Sequence, residues 1–144
     1  MGDDSLTVRL ENRLAEIPRA IGLLDTFCAG RGIPAAIAFN FELALDEILT
    51  NVISYAFTEN ERHEIEVRIH CGVGELIMEL IDDGKPFDPL SVPPPDTTAP
   101  LEDREIGGLG IHMVKTVMDS VAYQRDGNRN HLELRRRIDT PGAS

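Results

Sequence analysis

Ala44-Leu45-Asp46-Glu47-Ile48-Leu49-Thr50-Asn51 reads as the middle of one long helix, and the rest of the chain is interpreted outward from it. From about Ala35 to Phe57, residues Ile37, Phe41, Leu45, Ile48, Val52 and Tyr55 recur every three or four positions, which makes one apolar stripe facing a core. At roughly 100° per residue, Glu47 and Asn51 lie almost above one another, about 80–120° round from the middle of that stripe. They therefore sit at the margin of the core, where side chains line a pocket while their helix stays anchored. Asp46 and Thr50 point further toward solvent.

On the N-terminal side, Leu6, Val8 and Leu10 alternate with polar residues and predict a first strand. Pro18 then sits where a helix can begin without its N–H, and Ile21, Leu24 and Phe27 carry helical spacing up to Gly30 and Gly32. On the C-terminal side, Ile65, Val67 and Ile69 alternate with Glu64, Glu66 and Arg68, a strand with one wet face. Cys71-Gly72-Val73-Gly74 reads as a turn, and Leu76 to Ile81 as a more fully apolar, central strand. From Gly84 to Glu105 the periodicity vanishes and six prolines rule out a regular helix through most of it: Pro86, Pro89, Pro93, Pro94, Pro95 and Pro100. So long an irregular stretch predicts a functional lid, about 84–106. Ile111, Val114, Val117 and Met118 then predict a further helix, Ser120–Gln124 and His131–Ile138 two closing strands joined at Asp126-Gly127-Asn128, and 139–144 a frayed tail. The order βααββ, lid, αββ predicts one α+β domain over 1–144, a two-layer α/β sandwich with a mixed sheet and helices on one face.

The chain has 144 residues, 42% of them hydrophobic, and a formal net charge of −11. The acidic balance argues against nucleic acid, which is held by clustered Lys and Arg; the cluster Arg135-Arg136-Arg137 falls on a predicted strand. No apolar run approaches a membrane span and no signal segment is evident, so a cytoplasmic location is the expectation. Cys28 and Cys71, isolated from any metal-spaced partner, predict buried reduced thiols.

Three short motifs carry possible chemistry. An Asn51 carbonyl is a hard oxygen ligand suited to Mg²⁺, and Glu47 one turn earlier could act as a general base. Alone, the two also fit a plain surface i, i+4 pair. Asp82, ending the strand Leu76–Ile81, could accept a hydrogen bond from the exocyclic amine of adenine while Gly84 lets the backbone approach the ring; alone, Asp82-Asp83-Gly84 also fits a common turn. Gly107-Gly108-Leu109-Gly110, placed before the predicted helix, offers unpaired N–H groups and a positive dipole end to an anion. Neither familiar glycine signature is present: Gly-x-x-x-x-Gly-Lys-[Ser/Thr] is absent, and Met113 stands where a dinucleotide fingerprint needs its third glycine. In this order the three motifs predict an ATP site.

With these motifs, most of the chain resembles the GHKL ATPase superfamily, and within it the anti-sigma-factor serine/threonine kinases. The resemblance implies a Bergerat-type ATP-binding fold, with Glu47 as base, Asn51 as Mg²⁺ ligand, Asp82 as adenine reader with Gly84 beside it, and Gly107, Gly108, Leu109 and Gly110 on the phosphate side. It further implies Mg²⁺ and ATP as cofactors, and as partners a small antagonist protein of the anti-sigma factor, a sigma factor, and a second copy of the chain in a homodimer. Two departures stand out: Pro86 replaces a second glycine, and Glu133 occupies the expected place of a late-strand hydroxyl near the adenine. Arg104 and Lys115 are candidate phosphate cations. The competing expectation is a nucleotide-dependent binding module that catalyses nothing. The ATP-binding half of a histidine kinase fits less well, since none of His63, His70, His112 or His131 sits on a plausible dimerisation helix.

Overall fold

The computed structural model of the chain describes residues 4–57, 61–91 and 106–138. The elements run β1 (Ser5–Glu11), α1 (Ile17–Gly30), α2 (Ala35–Tyr55), β2 (Glu64–Gly72), β3 (Glu75–Asp82), α3 (Ile106–Val117), β4 (Ser120–Asp126) and β5 (Arg129–Arg137). Single 3-10 turns at Leu14–Glu16 and Pro89–Ser91 lead into α1 and follow the loop after β3. Most of the expected lid, residues 92–105, and the expected tail, 139–144, lie outside the described residues.

The five strands form one sheet in the order β1-β2-β3-β5-β4. Every bonded pair is antiparallel, so the expectation of a mixed sheet is corrected. Two helices lie between β1 and β2 and return the chain for an antiparallel pairing. A single helix leaves β4 running in the same direction as β3, but β5 inserts between them and no parallel pair is made.

Period-two alternation makes the sheet two-faced. Val8, Leu10, Ile65, Val67, Ile69, Leu76, Met78, Leu80, Leu132 and Leu134 are buried on one face, in one core cluster with Leu24, Phe27, Phe41, Leu45, Ile48, Leu49, Ile111 and Val114 from the helices. The other face is an ion-pair lattice, with Arg9 to Glu66 at 3.3 Å, Arg68 to Glu79 at 3.7 Å and Arg135 to Glu133 at 2.8 Å. These pairs hold the face polar and contribute roughly 0–1 kcal/mol each. The sandwich is therefore held by burial on the helix side.

Two details of the sequence reading change. Tyr55 leaves the apolar stripe: it is 55% exposed, with its ring 5.8 Å from that of Phe87. Cys28 is buried, and burial pushes its thiol up to about 11, whereas Cys71 is only half-buried. No described helix is long and apolar enough to cross a membrane.

Leu45 is fully buried at the middle of α2. Leu45→Ala is expected to cost about 2–5 kcal/mol of unfolding free energy in urea titration, the range for a large-to-small change in a close-packed core.

Candidate functional site

The second half of α2 acts as a ruler for the candidate residues. From Glu47 to Ala56 the chain advances nine residues, about 13.5 Å along a helix. One end of that span meets α3, and the other meets the loop after β3.

At the first end, Glu47 is half-buried, and its carboxyl titrates above the usual range because of burial and then the neighbouring charge of Asp46. Gly110 of α3 packs directly on it: a Cβ at 110 would strike Cγ, Cδ and Oε2 of Glu47. Gly107, Gly108, Leu109 and Gly110 are not a loop ahead of the helix, as the sequence suggested, but belong to its opening turns, since α3 begins at Ile106. Glycine's weak helix propensity hid that start. The opening turn of any helix still leaves N–H groups without intrahelical partners, so the anion-binding capacity remains in backbone form. Lys115 lies in the last turn of α3, at the end opposite the glycines, and Arg104 falls outside the described residues.

Asn51 follows one turn after Glu47 and is only 5% exposed. Its Nδ2 donates to the Glu47 carbonyl at 2.8 Å. That bond uses the amide's donor side on the helix itself and leaves Oδ1 without a partner among the described residues. A lone, oriented amide oxygen at the core's edge suits a hard cation that takes its other ligands from water and phosphate.

At the far end, the Ala56 carbonyl accepts from Lys85 N at 2.9 Å. This stitches the loop to the helix so closely that a Cβ on Gly84 would lie 2.6 Å from the Ala56 oxygen. Only glycine fits there. Asp82, ending β3 and 5% exposed, accepts two hydrogen bonds on Oδ1, from Gly84 N and from Asn130 Nδ2, both at 2.9 Å. Oδ2 receives no donor among the described residues. Burial dominates its titration and raises the carboxyl above its ordinary value, while the Asn130 and Gly84 bonds oppose the rise.

Sequence reasoning missed Asn130. It looked for the late-strand neighbour of the base at Glu133, but Glu133 lies on the solvent face of the sheet opposite Glu79 and pairs with Arg135. The inward residues of β5 are Asn130, Leu132 and Leu134, and Asn130 stands in register with Asp82. Counting back by twos from Leu134 and Leu132 would have found it. Arg125 was missed as well; its Nη1 donates to the Gly84 carbonyl at 2.8 Å. Pro86 sits in a path fixed on both sides, since the Lys85 carbonyl and Phe87 N both bond Asn130.

A profile of the histidine kinase-like ATPase domain matches residues 10–136, nearly the whole sandwich and every described element of this site. The chain belongs to that family. It is 31% identical over 100 residues to the serine/threonine-protein kinase BtrW of Bordetella bronchiseptica, covering 69% of this chain and 70% of that protein. It is 30% identical over 105 residues to the serine-protein kinase RsbW of Listeria innocua, covering 66% of this chain and 67% of that one. Among solved structures, the RsbU and RsbW domains of a Mycobacterium tuberculosis protein superpose with a TM-score of 0.65 over 93% of this chain and 32% of that chain, at 12% identity. At that identity the match establishes the shared fold of this family member.

Because the folded pKa of Asp82 lies above its unfolded value, the group's contribution to stability is fully present only below the unfolded value and is lost as pH rises through the folded one. Asp82→Asn keeps an Oδ1 acceptor for both donors and removes the buried charge. Thermal melts of the ligand-free protein should show the variant melting above the parent at pH 8, the gap closing toward pH 4.

Proposed function

We propose that this chain is an Mg²⁺-ATP-dependent serine/threonine protein kinase of the anti-sigma regulatory type, phosphorylating a small antagonist protein and, in another state, sequestering a sigma factor. The observation that carries the reading is the arrangement around α2: a half-buried Glu47 whose carboxyl is raised, Asn51 Oδ1 and Asp82 Oδ2 without a donor among the described residues, and Gly84 beside Asp82. The naming of BtrW and RsbW as serine kinases supports it.

In this reading Asp82 Oδ2 accepts from the adenine amine, and Gly84 admits the ring against bare backbone. Asn51 Oδ1 is the chain's ligand to Mg²⁺, and the opening turn of α3, Gly107 to Gly110, faces the phosphates. Bound Mg²⁺ would neutralise phosphate charge during transfer. Glu47 takes the proton of the serine or threonine hydroxyl as that oxygen bonds to the transferred phosphoryl group and ADP departs; a carboxyl raised by burial is the more basic for that task. One observation favours the non-catalytic alternative, an ATP-dependent binding module. The Glu47 side chain is packed against Gly110, which limits the side from which a partner hydroxyl can approach the carboxylate.

Titration calorimetry with Mg-ATP tests the site, and radiolabel transfer to a small protein retained from native extract tests the chemistry. Asp82→Asn, which turns an amide donor toward the adenine amine, should weaken ATP binding by ~100-fold or more. Glu47→Gln should leave ATP affinity within a few-fold and lower transfer by about 10²–10⁴; an unchanged transfer rate would show that Glu47 is not the base.

Gly110→Ala separates fold from catalysis. The atoms nearest the added methyl are Cγ, Cδ and Oε2 of Glu47, a side chain that can rotate away, while alanine improves the helix by up to about 1 kcal/mol. Its melting temperature should hold or rise while transfer falls as in Glu47→Gln.

A further inference from the structure

Asn130 is the most heavily bonded side chain around the candidate site, and nothing in the proposed chemistry yet uses it. It is 4% exposed. Its Nδ2 donates to Asp82 Oδ1 and to the Lys85 carbonyl, each at 2.9 Å. Its Oδ1 accepts from Tyr123 Oη at 2.5 Å, from Phe87 N at 3.2 Å and from Arg125 Nη1 at 3.2 Å. Arg125 also reaches the Gly84 carbonyl, so one guanidinium ties the amide to the loop that Asp82 caps.

An amide has two N–H donors and one acceptor oxygen, and here every one is engaged. Turning it over would set oxygen against oxygen at Asp82 and Lys85 and N–H against three donors. Five hydrogen bonds therefore hold a single orientation, and that orientation always presents N–H to Asp82 Oδ1. With Gly84 N on the same atom, the acceptor capacity of Asp82 is directed to Oδ2.

We propose that Asn130, locked by Tyr123 and Arg125 of the β4–β5 hairpin, is the positioning residue that makes Asp82 an acceptor toward the base and so selects adenine over guanine. The proposal rests on the reading of Asp82 as the base-contacting residue. Adenine offers an N–H₂ donor where guanine offers a carbonyl oxygen. An ionised, fixed carboxylate accepts from the first and repels the second; a carboxyl freed to rotate and protonate could donate to guanine instead.

The ionisation of Asp82 is where Asn130 has leverage. Burial disfavours the charge, the Asn130 bond is the foremost influence against that, followed by Gly84 N, while Asp83 raises the titration and Arg125 lowers it. Arg129 of β5 and Glu64 and Glu66 of β2 line a cleft of about 210 Å³ with Asp82 and Asp83, and His63 engages Asp83 at 3.1 Å. Among these charged groups, Arg125 is the one that bonds the oriented amide.

The test titrates the full chain with Mg-ATP and with Mg-GTP from pH 5.5 to 8.5, using the parent, Asn130→Ala and Arg125→Met. Asn130→Ala should lose ~tenfold or more in ATP affinity at pH 7, the scale of one hydrogen bond to a charged group. Its acid loss of ATP binding should set in at higher pH, and its ATP-to-GTP preference should narrow by a similar factor. Arg125→Met, a change at a partly exposed side chain, should move both readouts in the same direction by less; if circular dichroism shows Asn130→Ala unfolded, this variant decides. Equal weakening of ATP and GTP with an unmoved pH profile would reduce Asn130 to a structural brace and overturn the proposal while the ATP reading stands. A parent chain that binds no ATP would overturn both.

Discussion

The burial of one face of α2 is the constraint on which the rest of this molecule depends. Phe41, Ala44, Leu45, Ile48 and Leu49 are fully excluded from water between the sheet and the flanking helices, so the helix cannot rotate or slide without opening a close-packed core. That immobility passes to the margin of the stripe. Asn51 and Glu47 are positioned because their neighbours are buried, and α3 and the loop after β3 take their places by contact with the same helix, at Glu47 and Ala56 respectively.

Among the described residues, three polar side chains pass into that otherwise apolar interior: Asn51, Asp82 and Asn130. Burying such groups costs free energy unless they are bonded. The chain meets the cost unequally. Asn130 is saturated, whereas among the described residues Asn51 Oδ1 and Asp82 Oδ2 receive no donor. The asymmetry is what sets Asn130 apart from Asn51 and Asp82 in the proposed roles.

Most of the fold was legible in the sequence because its signals were periodic. The stripe of α2, the alternation of β2 and the apolar run of β3 each repeat often enough to fix a face. What failed was set by tertiary geometry. Strand direction depends on β5 inserting beside β3, which no local pattern announces. The opening of α3 was hidden because glycines argue against a helix until packing on Glu47 rewards their lack of a side chain. Tyr55 matched the stripe's spacing but lies in the last turn of α2, turned out to solvent beside the Phe87 ring. Within the candidate site, Asp82 and Gly84 were singled out from their chemistry and from the family resemblance, and the structure sets them side by side at the end of β3. Asn130 was overlooked because a β-strand's two faces are one residue apart, and the search landed on the wrong one.

The position of β5 has a consequence for how the chain is made. This strand is the last described element in the sequence yet lies inside the sheet, with β3 on one side and β4 on the other. During synthesis α2, Asp82 and the loop after it emerge first, but the partner that stands in register with Asp82 arrives 48 residues later. A growing chain therefore carries Asp82 before it carries the side chain that donates to it. The β3–β5 pairing that completes this corner is a long-range contact, of the kind whose loop-closure cost slows folding.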